Sequence, residues 1–277
     1  MVDVAVRDGK VPVNGLTIDD FELFDNGVRQ TLAALSMSQV PLDVSIVMDL
    51  SDLIEISARG VQWQPLEVFA DVSRIAGLLK PADRIRLLEA NPWGPFELVA
   101  LQPAAGVAGR SLSWSSYAVL PSSVFDATAA ALLARSAAER RSLVLVFTDG
   151  FDGASVLTPD QVIAVARESD AVVYLARRYG FEELRNRQNP HVDPLVHLIA
   201  PSAIEQVAVV TGGLVRHPQP TESIVTFFEQ VLADFRQRYL FHYTPTGVSE
   251  TGWHTITVRL KKPGKYTVNA RRGYFGG

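Results

Sequence analysis

The chain has 277 residues, of which 47% are apolar and 20% charged, and its net charge is −4. This is a globular composition, long enough for one large or two modest domains, and without a Lys/Arg stripe it excludes a nucleic-acid partner held on a basic face. The absence of cysteine excludes disulfides, thiolate metal sites and cysteine nucleophiles together, and no apolar run reaches the length of a membrane span.

After Met1 the pattern "VDVAVRDG" alternates like a strand, so no leader is expected within this chain. "FELFDNGVRQTLAAL" reads as two strand-like runs around Asn26-Gly27, the strongest short hairpin signal, and residues 1–40 are expected to be antiparallel β. From Leu42 the texture changes. "LDVSIVM" is a near-continuous apolar strand of the kind buried on both faces by helices. "PLEVFADVSRIAGLLK" places Leu66, Phe69, Val72, Ile75, Leu78 and Leu79 at helical spacing behind Pro65. "DRIRLLEA" reads as a strand, and "EANPWGPFE" and "SLSWSSY" as loops.

Further on, "SSVFDATAAALLARSAAER" is an alanine-rich helix opened by serines, and "SLVLVFTDG" a second buried strand. "TPDQVIAVARES" is a helix with Thr158 as N-cap and Pro159 beside it. "AVVYLA" is a third apolar strand, and "LIAPSAIEQVAVVTGG" a helix stopped by Gly212 and Gly213. "TESIVTFFEQVLADFRQRY" is a last helix starting at Thr221 or Glu222. Alternating strands and helices predict an α/β fold with a doubly wound, mostly parallel, Rossmann-like sheet. The last 40 residues return to β, as three strands in "YLFHYTP", "HTITVRLK" and "YTVNARRGYF". Neither end offers enough strands for its own core, so the two are expected to pair as a small β-sandwich with the α/β unit inserted between them. The expected division is 1–40, 41–237 and 238–277.

Ligands of open parallel sheets bind outside the carboxyl ends of the strands. Two strands here end in acid, at Asp49 and at Asp149. If they are neighbours, two carboxylates converge and require a proton, hydrogen-bond donors or a cation. Ser51, Ser122 and Ser123 are oxygen donors that could complete a hard-cation site, most suited to Mg²⁺. A simpler role is open to each: Asp49 with Ser51 can cap the following turn, and Asp149-Gly150 can be a turn. Trp93, Phe96, Trp114 and Tyr117 lie in loops expected near the same rim, where they either face a partner or pin the loops to the core. His191, His197, His217, His242 and His254 show no zinc-site spacing, and His242 and His254 are expected at the surface or cross-strand. There is no nucleophile elbow and no phosphate loop.

An apolar strand ending in Asp49-Leu50-Ser51, a serine-bearing segment "PSSVFDA" and a strand ending in Thr148-Asp149-Gly150 resemble the metal-ion-dependent adhesion site of von Willebrand factor A domains. The flanks "VPVNGLTIDDFELFDNGVRQ", "FTDGFDGAS", "VAVVTGGL", "RQRYLFHYTP" and "VNARRGYF" resemble the bacterial von Willebrand factor A-related family best known from Acidobacteria, and the resemblance covers almost the whole chain. It implies Asp49, Ser51, Ser122 and Asp149 as ligands of Mg²⁺ or Mn²⁺, with serine at 122 replacing a threonine. Leu53 stands where a second serine ligand belongs, with Asp52 beside the gap. Losing a ligand from a weak oxygen site costs affinity, so a degenerate site with no ion bound is the favoured expectation.

The resemblance further implies a non-enzymatic protein-binding module that presents Asp52, Trp93 and Trp114 to an unknown protein ligand, in a secreted or cell-envelope protein. Two other classes compete with it: an envelope assembly component, and a metal-assisted hydrolase using the paired acids, which lacks a second ligand set or a perturbed base.

Overall fold

The computed structural model describes residues 1–9, 11–36, 40–49, 65–112, 122–134, 136–137, 139–177, 202–218 and 222–276, with the backbone alone for 34–36, 65–70 and 202. Its centre is a six-stranded mixed sheet. Strands β6 (Leu42–Met48), β7 (Arg84–Asn91), β9 (Arg141–Thr148), β10 (Val172–Arg177) and β11 (Leu214–Arg216) are parallel, and β8 (Gly94–Pro103) runs antiparallel at the edge. The order is β11-β10-β9-β6-β7-β8. The chain thus starts in the middle at β6, moves outward to β7 and β8, and then returns to the other side of β6 to lay down β9, β10 and β11.

Among the described residues, five helices cover the sheet: α1 (Pro65–Leu78), α2 (Val124–Leu133), α3 (Pro159–Glu168), α4 (Ser202–Val210) and α5 (Ile224–Arg236). On one face α1 and α5 pack Val72, Ile75, Phe227, Phe228, Val231 and Phe235 against Val44, Ile46, Leu143 and Leu145. On the other, α2, α3 and α4 pack Phe125, Val162, Ile204 and Val207 against Val47, Val144 and Val146. The strand residues alternate between the two cores, which is why β9 carries apolar residues on both faces, while in β6 Asp43 and Ser45 share the face of Val47. Helix α3 starts as its sequence predicts, with Thr158 and Gln161 exchanging hydrogen bonds in a capping box. Helix α5 is capped one or two residues later than expected, by Ser223, whose hydroxyl accepts from the Thr226 amide at 3.1 Å. Among the described residues, no helix is long and apolar enough to cross a membrane.

The two chain ends supply two further, antiparallel sheets. One has the order β14 (Tyr266–Ala270), β1 (Val2–Asp8), β12 (Tyr239–His242), β5 (Ala34–Ser36), with β2 (Val11–Pro12) paired to β1. The other has the order β15 (Gly273–Gly276), β13 (Gly252–Leu260), β3 (Phe21–Asp25), β4 (Val28–Gln30). Phe21 of the second sheet meets Tyr239 and Phe241 of the first, with ring centroids 5.2 and 4.8 Å apart, in a cluster with Val4, Val6, Leu23 and Ile256. The β3–β4 turn is the hairpin expected at Asn26-Gly27, whose φ values of 47° and 80° are the left-handed pair such a turn needs.

Two segments differ from the sequence reading. Residues 94–103, read in part as a loop, form β8, an edge strand along which Val99 is the one buried hydrophobic residue. "YTVNARRGYF" is two strands, one in each small sheet. They part at Arg271-Arg272, where the Arg272 amide bonds the Val210 carbonyl at 3.3 Å and the Gly212 backbone lies so near Arg271 that a Cβ there would collide with it.

Candidate functional site

The chain reverses its direction of travel between β6 and β9, which makes the crevice outside their carboxyl ends the expected ligand position of a doubly wound sheet. Asp49 and Asp149 directly follow these two strands, whose register pairs Met48 with Phe147. The Asp49 amide donates to the Phe147 carbonyl at 2.9 Å, extending the ladder by one step. Its side chain is 1% exposed, and Oδ2 accepts from the Thr148 hydroxyl at 2.7 Å. Thr148 Oγ1 in turn accepts the Gly150 amide at 2.9 Å, which ties the two strand ends together through one buried hydroxyl. Asp149 is buried too, and its Oδ1 accepts the Phe151 amide at 2.9 Å, closing a turn of the Asx kind. Arg177, at the end of β10, donates to the Asp149 backbone carbonyl at 3.3 Å and pairs with Glu205 at 3.0 Å.

Ser122 reaches this rim from the start of α2. Its carbonyl accepts the amides of Gly153 and Ala154 at 3.2 and 3.1 Å, and its hydroxyl lies 3.4 Å from the Phe151 carbonyl. The loop after β9 is stitched to α2 by reciprocal acids. Asp152 accepts the Phe125 amide at 2.9 Å and the Ser155 hydroxyl at 2.6 Å, while Asp126 accepts the amides of Val156 and Leu157, both at 2.9 Å. An acid at a helix N-terminus satisfies orphan amides and meets the positive end of the helix dipole. The opening serines were expected to start this helix. Ser123 is the N-cap residue but makes no side-chain cap. Its hydroxyl instead donates to the Asn91 carbonyl at 2.5 Å, anchoring α2 to the end of β7.

Trp93 lies in the turn joining β7 to β8, at the same carboxyl end as Asp49, because β7 runs parallel to β6. It is 70% exposed and Phe96, opposite Glu89 on β8, is 53% exposed, so neither ring is buried in the core. Ser51, Asp52, Leu53, Trp114 and Tyr117 lie outside the described residues. The structure therefore brings Asp49, Ser122, Asp149 and Trp93 to one rim. It adds Thr148, Asn91, Asp152 and Arg177, which sequence reasoning did not single out. Thr148 was visible in the quoted "TDG", and Asp152 in "FDGAS". The hydroxyl bond between Thr148 and Asp49 spans 99 residues and has no local signal.

The donors at this rim fit a hard divalent cation in kind, since the carboxylates of Asp49 and Asp149 and the hydroxyls of Ser122 and Thr148 are all oxygen. Among the described residues, no three His, Asp or Glu side chains gather as metal ligands.

A second polar cluster lies away from the rim. His254, expected at the surface or cross-strand, is cross-strand to Tyr274 and 1% exposed. Its Nδ1 lies 2.8 Å from Asp25 Oδ1, while Asp25 Oδ2 accepts from Tyr243 at 2.9 Å and Tyr274 at 2.8 Å. Burial, and then hydrogen bonds with Tyr274 and Asp25, push the Tyr243 phenol well above its ordinary range. This cluster joins β3, β13 and β15 from within. His242, by contrast, is exposed as expected.

No protein family model and no curated protein matches the sequence. Solved structures similar to this chain include proximal thread matrix protein 1 from the mussel byssus, with a TM-score of 0.49 and 10% identity over 73% of this chain and 49% of that one. A von Willebrand factor type A protein from Catenulispora acidiphila has a TM-score of 0.48 and 15% identity over 78% and 50% of the two chains. BatB from Bacteroides thetaiotaomicron has a TM-score of 0.45 and 14% identity over 71% and 98%. The match spans about half the length of the first two.

Proposed function

We propose that the chain is a non-enzymatic protein-binding module of the von Willebrand factor A type, related to the Acidobacteria-type family, which captures a protein ligand at the carboxyl rim of its six-stranded sheet. The observation that carries this reading is the gathering of Asp49, Ser122 and Asp149 at the same carboxyl end of the sheet as the exposed rings of Trp93 and Phe96. An exposed aromatic next to oriented polar groups suits a protein surface, because the ring contributes area at little entropic cost and the polar groups set register. Asp52 and Trp114 would extend the contact. The division at 1–40, 41–237 and 238–277, with both ends forming one small sandwich, gives the binding unit its base, and the module would serve in a secreted or envelope protein.

In this reading the adhesion-type metal site is degenerate. Asp49, Ser51, Ser122 and Asp149 would be its ligands, and Leu53 leaves one position to water, so Mg²⁺ or Mn²⁺ is not retained. Calorimetric titration is expected to give no heat and no melting shift at millimolar metal. A saturable heat that disappears in Asp149→Ala would instead make the site metal-competent. Binding is tested by selection from a displayed peptide library. Sequences enriched on the wild type are expected to be lost on Trp93→Ser, and enrichment indifferent to Trp93, Phe96 and Ser122 would reject the rim as the binding surface.

A second reading, an assembly component of the cell envelope, draws on β8, an edge strand with a largely exposed face. Light scattering over a range of concentrations separates the two: a mass that rises with concentration, and that Phe96→Lys abolishes, favours assembly. A metal-assisted hydrolase would need turnover with Mg²⁺ or Mn²⁺ that vanishes in Asp149→Ala.

A further inference from the structure

At the opposite, amino end of the six-stranded sheet, a cavity of about 470 Å³ opens between the α/β unit and the strands of the C-terminal end. Its walls are Arg167 from the last turn of α3, Val210 from the end of α4, Trp253 and Thr255 from β13, Arg272 from the β14–β15 link and Phe275 from β15. The size falls within the roughly 300–1,000 Å³ of small-ligand pockets. The crevice between β6 and β9 is a full strand away, about 20 Å for six residues.

The lining combines two chemistries. Trp253 and Phe275 form an edge-to-face pair with centroids 5.3 Å apart, and Phe275 is 53% exposed. Arg167 sits above the indole, 5.8 Å from its centroid. The neighbouring Arg271 is occupied elsewhere, donating to Asp170 at 2.6 Å and to the carbonyls of Gly273 and Arg167. Arg167 and Arg272 are exposed, and no ion pair joins either to an acid among the described residues. On a chain of net charge −4, two guanidinium groups facing an aromatic wall form a local cationic and apolar recess.

We propose that this recess binds a carboxylate carried next to an aromatic ring, either as a free aryl acid or as part of an acidic peptide segment. The ring packs against Trp253 and Phe275, and the carboxylate is shared by Arg167 and Arg272, whose planar forks match carboxylate geometry. Thr255, exposed on β13, offers a hydroxyl at the wall. The recess is independent of the rim, so its ligand and the rim's protein partner are bound separately.

The test is titration of the intact chain with N-acetyl-phenylalanine, with its neutral amide, and with the capped peptide N-acetyl-Glu-Phe-Glu-amide, followed by calorimetry and by the Trp253 indole N–H resonance. Saturable binding of the free acid or of the peptide is expected, weakened at least about tenfold in the amide or in an Arg167→Gln/Arg272→Gln variant. Whichever of the two probes binds more tightly identifies the source of the carboxylate. Both arginines are exposed, so the variant is expected to melt with the wild type, and Asp149→Ala is expected to leave this binding intact. No saturable binding of either acidic probe up to about 10 mM, or equal binding of the neutral amide, would overturn the proposal.

Discussion

The two ends of the six-stranded sheet bond most of their acidic residues differently, although the carboxyl end also holds the Arg177–Glu205 pair. At the amino end, carboxylates meet guanidinium groups. Asp43 is bonded by Arg84 at 2.8 and 2.5 Å and by Arg140 at 2.6 Å, Asp83 is paired with Arg236, Asp3 with Arg141, and Asp234 with Arg7. Two of these pairs join the α/β unit to the chain ends: Asp3 and Arg7 belong to β1, while Arg141 opens β9 and Asp234 lies in α5. At the carboxyl end, the bonds described for Asp49, Asp149 and Asp152 come from hydroxyls and backbone amides. Such donors orient a carboxylate without neutralising it, whereas an arginine both orients and neutralises. The pairs of the first end hold the strands and chain ends in place, and the bonds described at the second fix the direction of polar groups at a crevice.

The largest effect that would break this contrast is expected at the amino end. Arg141→Ala removes a buried cation that bonds Asp3 and the Phe235 carbonyl, leaving the acid with a lost partner. Urea unfolding is expected to show a loss of about 3–5 kcal/mol, and a loss under 1 kcal/mol would mean that the pair adds little to the seam. Thr148→Val keeps the shape of the rim but deletes the buried hydroxyl between Asp49 and the Gly150 amide. A cost of about 1–3 kcal/mol is expected from the same unfolding curves.

A smaller effect, confined to acid, should appear at Asp43. Burial pushes this carboxyl up, but hydrogen bonds from Arg84 and Arg140 outweigh burial and hold it below its usual range. Its contribution to stability is then complete above the unfolded value of about 3.9 and is lost as pH falls toward the folded one. The urea midpoint of Asp43→Asn should accordingly vary less below about pH 4 than that of the wild type, and parallel acid limbs would contradict the assignment. The smallest effect belongs to the exposed aromatics. Trp93→Ser and Phe96→Ser are expected to change stability by no more than about 0.5 kcal/mol while abolishing peptide selection at the rim. A large stability loss would show that these rings serve packing instead.

Much of the architecture was legible because burial leaves a periodic trace. β6 matches its apolar run from Leu42 to Met48, Asn26-Gly27 makes its hairpin, and Thr158 caps α3. β8 was hidden because an edge strand with one buried hydrophobic residue shows no alternation. The break after Ala270 was hidden because it is imposed from outside, by the turn at Gly212. The buried state of His254 depends on Asp25, 229 residues away.

At the candidate site, the sequence by itself placed Asp49 and Asp149 at the ends of two buried strands and Trp93 in a turn, since each of these is a local matter of pattern and punctuation. That β6 and β9 lie side by side, that Thr148 bridges them, and that the β7–β8 turn rises at the same rim were decided only by the tertiary structure. Hydrophobic periodicity reports how deeply a strand is buried. Which strands become neighbours is set by long crossovers packing on opposite faces, and that choice leaves no mark on either strand's own residues.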